Sequence, residues 1–119
     1  FYADNGFIPA LMILDLMSKK GQSLHQLLKP LRERYFISGE INFKVSDPAG
    51  LLRAVEAKYG TKGNAEKIDG VSVEFAKWRF NIRASNTEPL VRLNVEARSD
   101  ALARTKTKEL SSFIQTYGR

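Results

Sequence analysis

The chain has no cysteine, which removes disulfides and thiolate metal sites and fits a cytoplasmic origin better than a secreted one. It has one histidine, His25, with no second histidine or cysteine to share a metal, so a solvated place on the polar side of its helix is expected. Long hydrophobic runs are also missing. The stretch "GFIPALMILDLM" is broken by Asp15, falls well short of the roughly 20 residues that cross a bilayer, and follows no positively charged segment. Neither a membrane span nor a signal peptide is expected. No Gly-x-Gly-x-x-Gly occurs, and "YGTKGN" lacks the Gly-Lys-Ser/Thr ending of a nucleotide-phosphate loop. Blocks of one charge are absent as well: 19 Lys and Arg against 13 Asp and Glu give a net charge of +6, but the signs are interleaved. Such basicity suits an ordinary solvated surface and leaves a basic nucleic-acid-binding module as the alternative.

What is present is enough for one domain with a core: 119 residues, 43% hydrophobic and 27% charged. The opening on Phe1, straight into apolar residues, suggests a piece of something longer. Residues 8–20 predict a helix, with Asp4 or Asn5 near its start and Gly21 as its terminator. Its apolar residues go most of the way round, so this helix needs cover on several sides. "SLHQLLKPLRERY" predicts a second helix with a capping box, Ser23 and Gln26, and with Pro30 expected to kink or divide it.

From Gly39 the period changes to two. In "GEINFKV", Ile41, Phe43 and Val45 share one face of a strand, and Glu40, Asn42 and Lys44 share the other. "SDPAGLLRAVEAKYG" is a short helix capped by Asp47, with Pro48 in its first turn and Gly60 as its stop. "TKGNAEKIDG" reads as a loop. Three alternating runs follow, through Val71, Val73 and Phe75, through Trp78, Phe80 and Ile82, and through Val91, Leu93 and Val95. A last helix from about Ala101, capped by Ser99 or Asp100, carries Leu110, Phe113, Ile114 and Tyr117 on one side. The prediction is an α+β fold: a two-layer domain with a four-stranded, mainly antiparallel sheet and two helices in the order β-α-β-β-β-α, preceded by two helices of another unit. The boundary is placed so that residues 1–37 belong to a preceding domain and residues 38–119 form the last one.

"RASNTEP" falls in the turn between the second and third alternating runs. Parity puts Arg79, Asn81 and Arg83 opposite Trp78, Phe80 and Ile82, so Arg83 leaves the sheet away from the core. Its planar fork can bind two oxygens of one phosphate, and Ser85, Asn86 and Thr87 can reach the remaining lone pairs. Ser, Asn and Thr also populate turns for purely local reasons, so a plain turn stays open. Pro89 keeps Glu88 extended. Glu88 is assigned to orienting Arg83 or Arg92, with a surface salt bridge as the alternative.

"FNIRASNTEPLVRLNVEAR" resembles the signature phosphate-binding loop of the α-D-phosphohexomutases, and the similarity extends through "ADNGFIPALMILDLMSKKGQSL", "RERYFISGEINFKV" and "DGVSVEFAKWRFNIR". Within that family the chain is most similar to the bacterial phosphomannomutases. The resemblance implies a four-domain enzyme that interconverts mannose 6-phosphate and mannose 1-phosphate, through a phosphoserine and a bisphosphate intermediate, in carbohydrate metabolism leading to GDP-mannose. It implies that this chain is the end of the third domain and the whole fourth, working with the remaining domains on a hexose phosphate. Arg83, Ser85, Asn86 and Thr87 match the residues that hold the phosphate not being transferred, with Glu88 and Arg92 beside them. The phosphoserine loop, the Asp-rich Mg²⁺ loop and the sugar-recognition loop are not in these residues, so no catalytic residue and no metal ligand is expected here, and the fragment alone should be inactive.

Overall fold

The computed structural model describes residues 5–117. Two compact units divide the chain, Phe1–Arg34 and Tyr35–Arg119. In the first, helix α1 spans Phe7–Lys20 and helix α2 spans Leu24–Arg32. Asp4 lies outside the described residues, and Asn5 Oδ1 accepts the Phe7 N–H at 2.9 Å. Gly21 ends α1 in the left-handed region at φ 59°, as a C-terminal glycine can without strain. The capping box is complete, with Ser23 Oγ accepting from the Gln26 amide and Gln26 Oε1 accepting from the Ser23 amide. Pro30 does not divide the helix. It stands in the last turn, where a missing N–H costs a single bond, and the Glu33 amide still reaches the Lys29 carbonyl at 3.0 Å.

The second unit is α+β. Its strands are β1 (Phe36–Ile37), β2 (Ile41–Lys44), β3 (Asn64–Glu66), β4 (Val71–Glu74), β5 (Trp78–Ala84) and β6 (Leu90–Ala97), with helices α3 (Pro48–Tyr59) and α4 (Asp100–Tyr117). The antiparallel sheet runs β1-β6-β5-β4-β3, and β2 also pairs with β6. The pairs Ile37–Glu96 and Ile41–Leu93 leave one residue more on the β1–β2 edge than on β6, which is a bulge. There the Val95 amide donates to Ser38 Oγ at 2.9 Å, so a hydroxyl takes the place of a ladder carbonyl.

Both short additions to the predicted four strands have local causes. β1 is the continuation of β2 across the bulge. β3 lies inside the segment read as a loop; its Asn-Ala-Glu sequence is exposed throughout, and it is recruited to the free edge of β4 by the 67–70 turn. The other expectations match closely. Asp47 caps α3 by accepting from the Gly50 amide at 2.8 Å, and Ser99 Oγ accepts from the Leu102 amide at the start of α4. The core joins Leu51, Val55 and Tyr59 of α3, and Leu110 and Ile114 of α4, to the inward residues of β4, β5 and β6. Trp78 is half-buried against this core and stacks on Phe75 with centroids 4.3 Å apart. The opposite face of the sheet carries the polar side chains of β2 to β6, together with the apolar Ile37 and Leu90.

Candidate functional site

Alternation along β5 and β6 builds the site. Arg83 is paired with Arg92 and Asn81 with Asn94, while Asn42 of β2 lies across from Arg92. All belong to the face opposite Ile82 and Leu93, which are fully buried. Two cations side by side repel, and the structure places one carboxylate, Glu40, between them. Glu40 lies 3.3 Å from Arg83 Nη2 through one oxygen and 3.7 Å from Arg92 Nη1 through the other. Asp69 accepts from Arg83 Nη1 at 3.0 Å. Both ends of the guanidinium fork are therefore held, and these partners, Asp69 first and then Glu40, raise the Arg83 pKa above its ordinary value. The side chain is fixed as a cation. Arg92 Nε is buried with no hydrogen-bond partner among the described residues.

The loop beyond β5 is closed by the Ser85 amide donating to the Leu90 carbonyl at 2.9 Å and the Leu90 amide donating to the Glu88 carbonyl at 2.8 Å. Within it the Ser85 and Thr87 hydroxyls are 3.4 Å apart, and the Thr87 amide lies 3.4 Å from Ser85 Oγ. These are long, weak contacts, so the hydroxyls and the exposed Asn86 amide remain available to a ligand. The structure thus brings Arg83, Ser85, Asn86 and Thr87 to one end of β5, with Arg92 beside Arg83.

Glu88 stands apart from the arginines. Exposed at the loop tip, it makes no ion pair among the described residues, because Glu40 and Asp69 take the positions facing Arg83 and Arg92. Those two carboxylates are the residues that sequence reasoning missed. For Glu40 a signal existed, since its alternation with Ile41 already put it on the polar face. Asp69 had only its place before Gly70 in a turn. Among the described residues no group of three or more His, Cys, Asp or Glu could hold a metal ion. Glu40 and Asp69, the two carboxylates beside Arg83, are both engaged by arginine. No helix among the described residues is long and apolar enough to cross a membrane.

Comparison with known proteins adds independent findings. Residues 40–110 match the family described as phosphoglucomutase/phosphomannomutase, C-terminal domain. A protein named phosphohexose mutases from Xanthomonas campestris pv. campestris (strain B100) is 47% identical over 116 residues, covering 96% of this chain and 26% of that protein. The Salmonella montevideo phosphomannomutase is 44% identical over 117 residues, covering 97% of this chain and 26% of its own length. A solved phosphoglucomutase/phosphomannomutase family protein from Burkholderia thailandensis superposes with a TM-score of 0.57 at 26% identity, over 77% of this chain and 19% of that one. The chain spans about a quarter of the length of these curated relatives.

Proposed function

Because the chain belongs to the phosphoglucomutase/phosphomannomutase family through its C-terminal domain, we propose that its 83–87 loop binds the phosphate of a hexose phosphate that is not being transferred. In this reading the chain is the C-terminal part of a phosphomannomutase, with residues 1–34 contributed to the preceding domain and residues 35–119 forming the phosphate-binding one, a boundary three residues earlier than the sequence suggested because Phe36 and Ile37 pair with β6. Arg83 supplies a two-pronged bond, the Ser85 and Thr87 hydroxyls and the Asn86 amide take further oxygens, and Arg92 adds positive field from the next strand. Bond breaking, Mg²⁺ and sugar recognition fall to other parts of the longer protein. Gripping a remote phosphate positions the reacting end, and that binding energy lowers the barrier to chemistry elsewhere.

One observation carries the proposal: Arg83, a fork fixed as a cation on the open face of the sheet, stands at the mouth of a loop whose hydroxyls make only long internal contacts. The alternative of a basic nucleic-acid-binding sheet is less well supported. On the same face Arg79 lies between Glu96 and Glu74, and Arg83 between Glu40 and Asp69, so the charges alternate instead of forming a positive stripe.

Arg83→Lys in the full-length protein tests the reading. Lysine keeps the charge but not the planar fork, and charge-assisted hydrogen bonds are worth about 1.5–3 kcal/mol. The expected result is a kcat/KM for hexose phosphates lowered by roughly ten- to a hundredfold, with near-normal thermal stability because the side chain points away from the core. Unchanged kcat/KM would reduce the loop to a turn. Parallel losses of stability and activity would make Arg83 structural.

A further inference from the structure

A phosphate clamp whose arginine already has carboxylate partners raises the question of what they do. Asp69 is not a chance surface partner. Its backbone carbonyl accepts from Asn81 Nδ2 at 2.8 Å, and the same amide nitrogen is held in place by donating to Ser72 Oγ at 3.0 Å. Its neighbour Gly70 has φ +75° and is pressed so closely on β5 that a Cβ there would lie 2.7 Å from Arg83 Cα and against the Ile82 carbonyl. The turn is thus built onto the backbone of the very residue that its carboxylate engages.

The two carboxylates are not equivalent. Glu40 is shared between Arg83 and Arg92, and its side chain is 38% exposed. Among the described residues Asp69 is tied to Arg83 alone, and it is 67% exposed, so it is the partner that solvent can most easily take back. An arriving phosphate competes for the Nη1 prong, and a carboxylate left within a few ångströms of it repels it.

Resting on the phosphate reading of the 83–87 loop, we propose that Asp69 is a built-in counter-ion for that site. It occupies one prong of Arg83 when the site is empty, swings to solvent when phosphate binds, and returns as phosphate leaves. Asp69 is a positioning residue that does not touch the ligand. Its effect is to weaken phosphate binding and to speed release, which suits a site whose ligand must depart after every turnover.

The test titrates the 119-residue chain with inorganic phosphate at constant ionic strength and follows the Arg83 side-chain and loop amide resonances. Asp69→Asn should tighten the phosphate Kd by roughly two- to fivefold, the scale of an exposed ion pair, and Asp69→Ser should do the same. Asp69→Glu, which restores a carboxylate, should bring Kd back toward the parent value. Asp100→Asn removes one negative charge at the start of α4 and should leave Kd unchanged. Damage to the fold weakens binding, so tightening separates the proposed role from a structural one. Unchanged or weaker binding in Asp69→Asn, or equal tightening in Asp100→Asn, would overturn the counter-ion role. Arg83→Ala is the control for the site itself and should abolish the loop response. If it does not, the phosphate reading fails, and the counter-ion proposal falls with it.

Discussion

The helix pair of the first unit and the α+β unit obey the same local rules with opposite results. Ser23 and Gln26 form a complete capping box and Gly21 closes α1, yet neither α1 nor α2 buries a single residue among those described. In the second unit Asp47 caps α3 no better, but Leu51 and Val55 behind it are wholly buried against Val73, Phe80 and Ile82. Caps and periodicity decide where a helix starts and stops. Burial decides whether it is held cooperatively, because a helix this short is marginal by propensity alone.

The largest contrast should come from truncating one apolar side chain in each unit. Phe80 is 1% exposed and meets the rings of Tyr59, Phe75 and Trp78. Phe80→Ala should cost about 3–5 kcal/mol in urea unfolding of this chain, through lost burial and the cavity left behind. Leu11 is 63% exposed, and Leu11→Ala should stay within about 0.5 kcal/mol. A comparable cost at Leu11 would break the comparison by showing that α1 is covered in solution.

Two glycines with positive φ sharpen it further. Gly21, at φ +59°, has nothing within 4 Å of a built Cβ, so Gly21→Ala should cost only the backbone strain of about 1–2 kcal/mol, confined to the end of α1. Gly70→Ala adds the collision with β5 to the same strain and should cost roughly 2–3 kcal/mol of the second unit's stability. Differential scanning calorimetry should show a lowered Tm for Gly70→Ala and little change in the main transition for Gly21→Ala. Equal shifts would mean that the 67–70 turn yields away from Arg83.

The same contrast explains what the sequence could and could not reveal. Periods of 3.6 and 2 exposed the faces of α3, α4, β2, β4, β5 and β6, because in the second unit one side of each element meets a core. Parity alone put Arg83 on the open face. The helix pair was equally legible as helices, and so was the lack of a single apolar stripe on α1. What did not show was pairing. β3 is a polar edge segment with no alternation, held by its neighbour's free hydrogen bonds. Glu40 and Asp69 lie 43 and 14 residues from Arg83 in sequence; sheet register and a left-handed glycine turn bring them together, and local patterns carry no such information. Pro30, expected to kink or divide α2, does not divide it, because its position in the last turn and not its presence decides how many hydrogen bonds proline removes.

Titration provides the smallest effect, and its groups lie in only one of the two regions. The Tyr59 hydroxyl donates to Glu109 at 3.1 Å from a side chain 4% exposed. Burial first, then the Glu109 bond and charge, push the phenol from 10.0 up to about 12. The folded state disfavours the phenolate, so this stabilisation is complete below pH 10 and is lost as pH rises toward 12. Glu109 runs the other way: its bond to Lys106 at 2.7 Å holds the carboxyl below its ordinary value against the opposing effect of burial. That contribution is present above the ordinary carboxylate range and is lost as pH falls through the depressed value. Tyr59→Phe keeps the edge-on packing against Phe80 and Phe113, at 5.4 and 6.1 Å, and removes only the hydroxyl. At neutral pH it should cost about 0.5–1 kcal/mol, the net worth of one hydrogen bond whose acceptor keeps another partner. Thermal unfolding followed from pH 8 to 12 should show the parent losing this advantage over the variant above pH 10. Parallel curves across the alkaline range would place the titrating group outside this core.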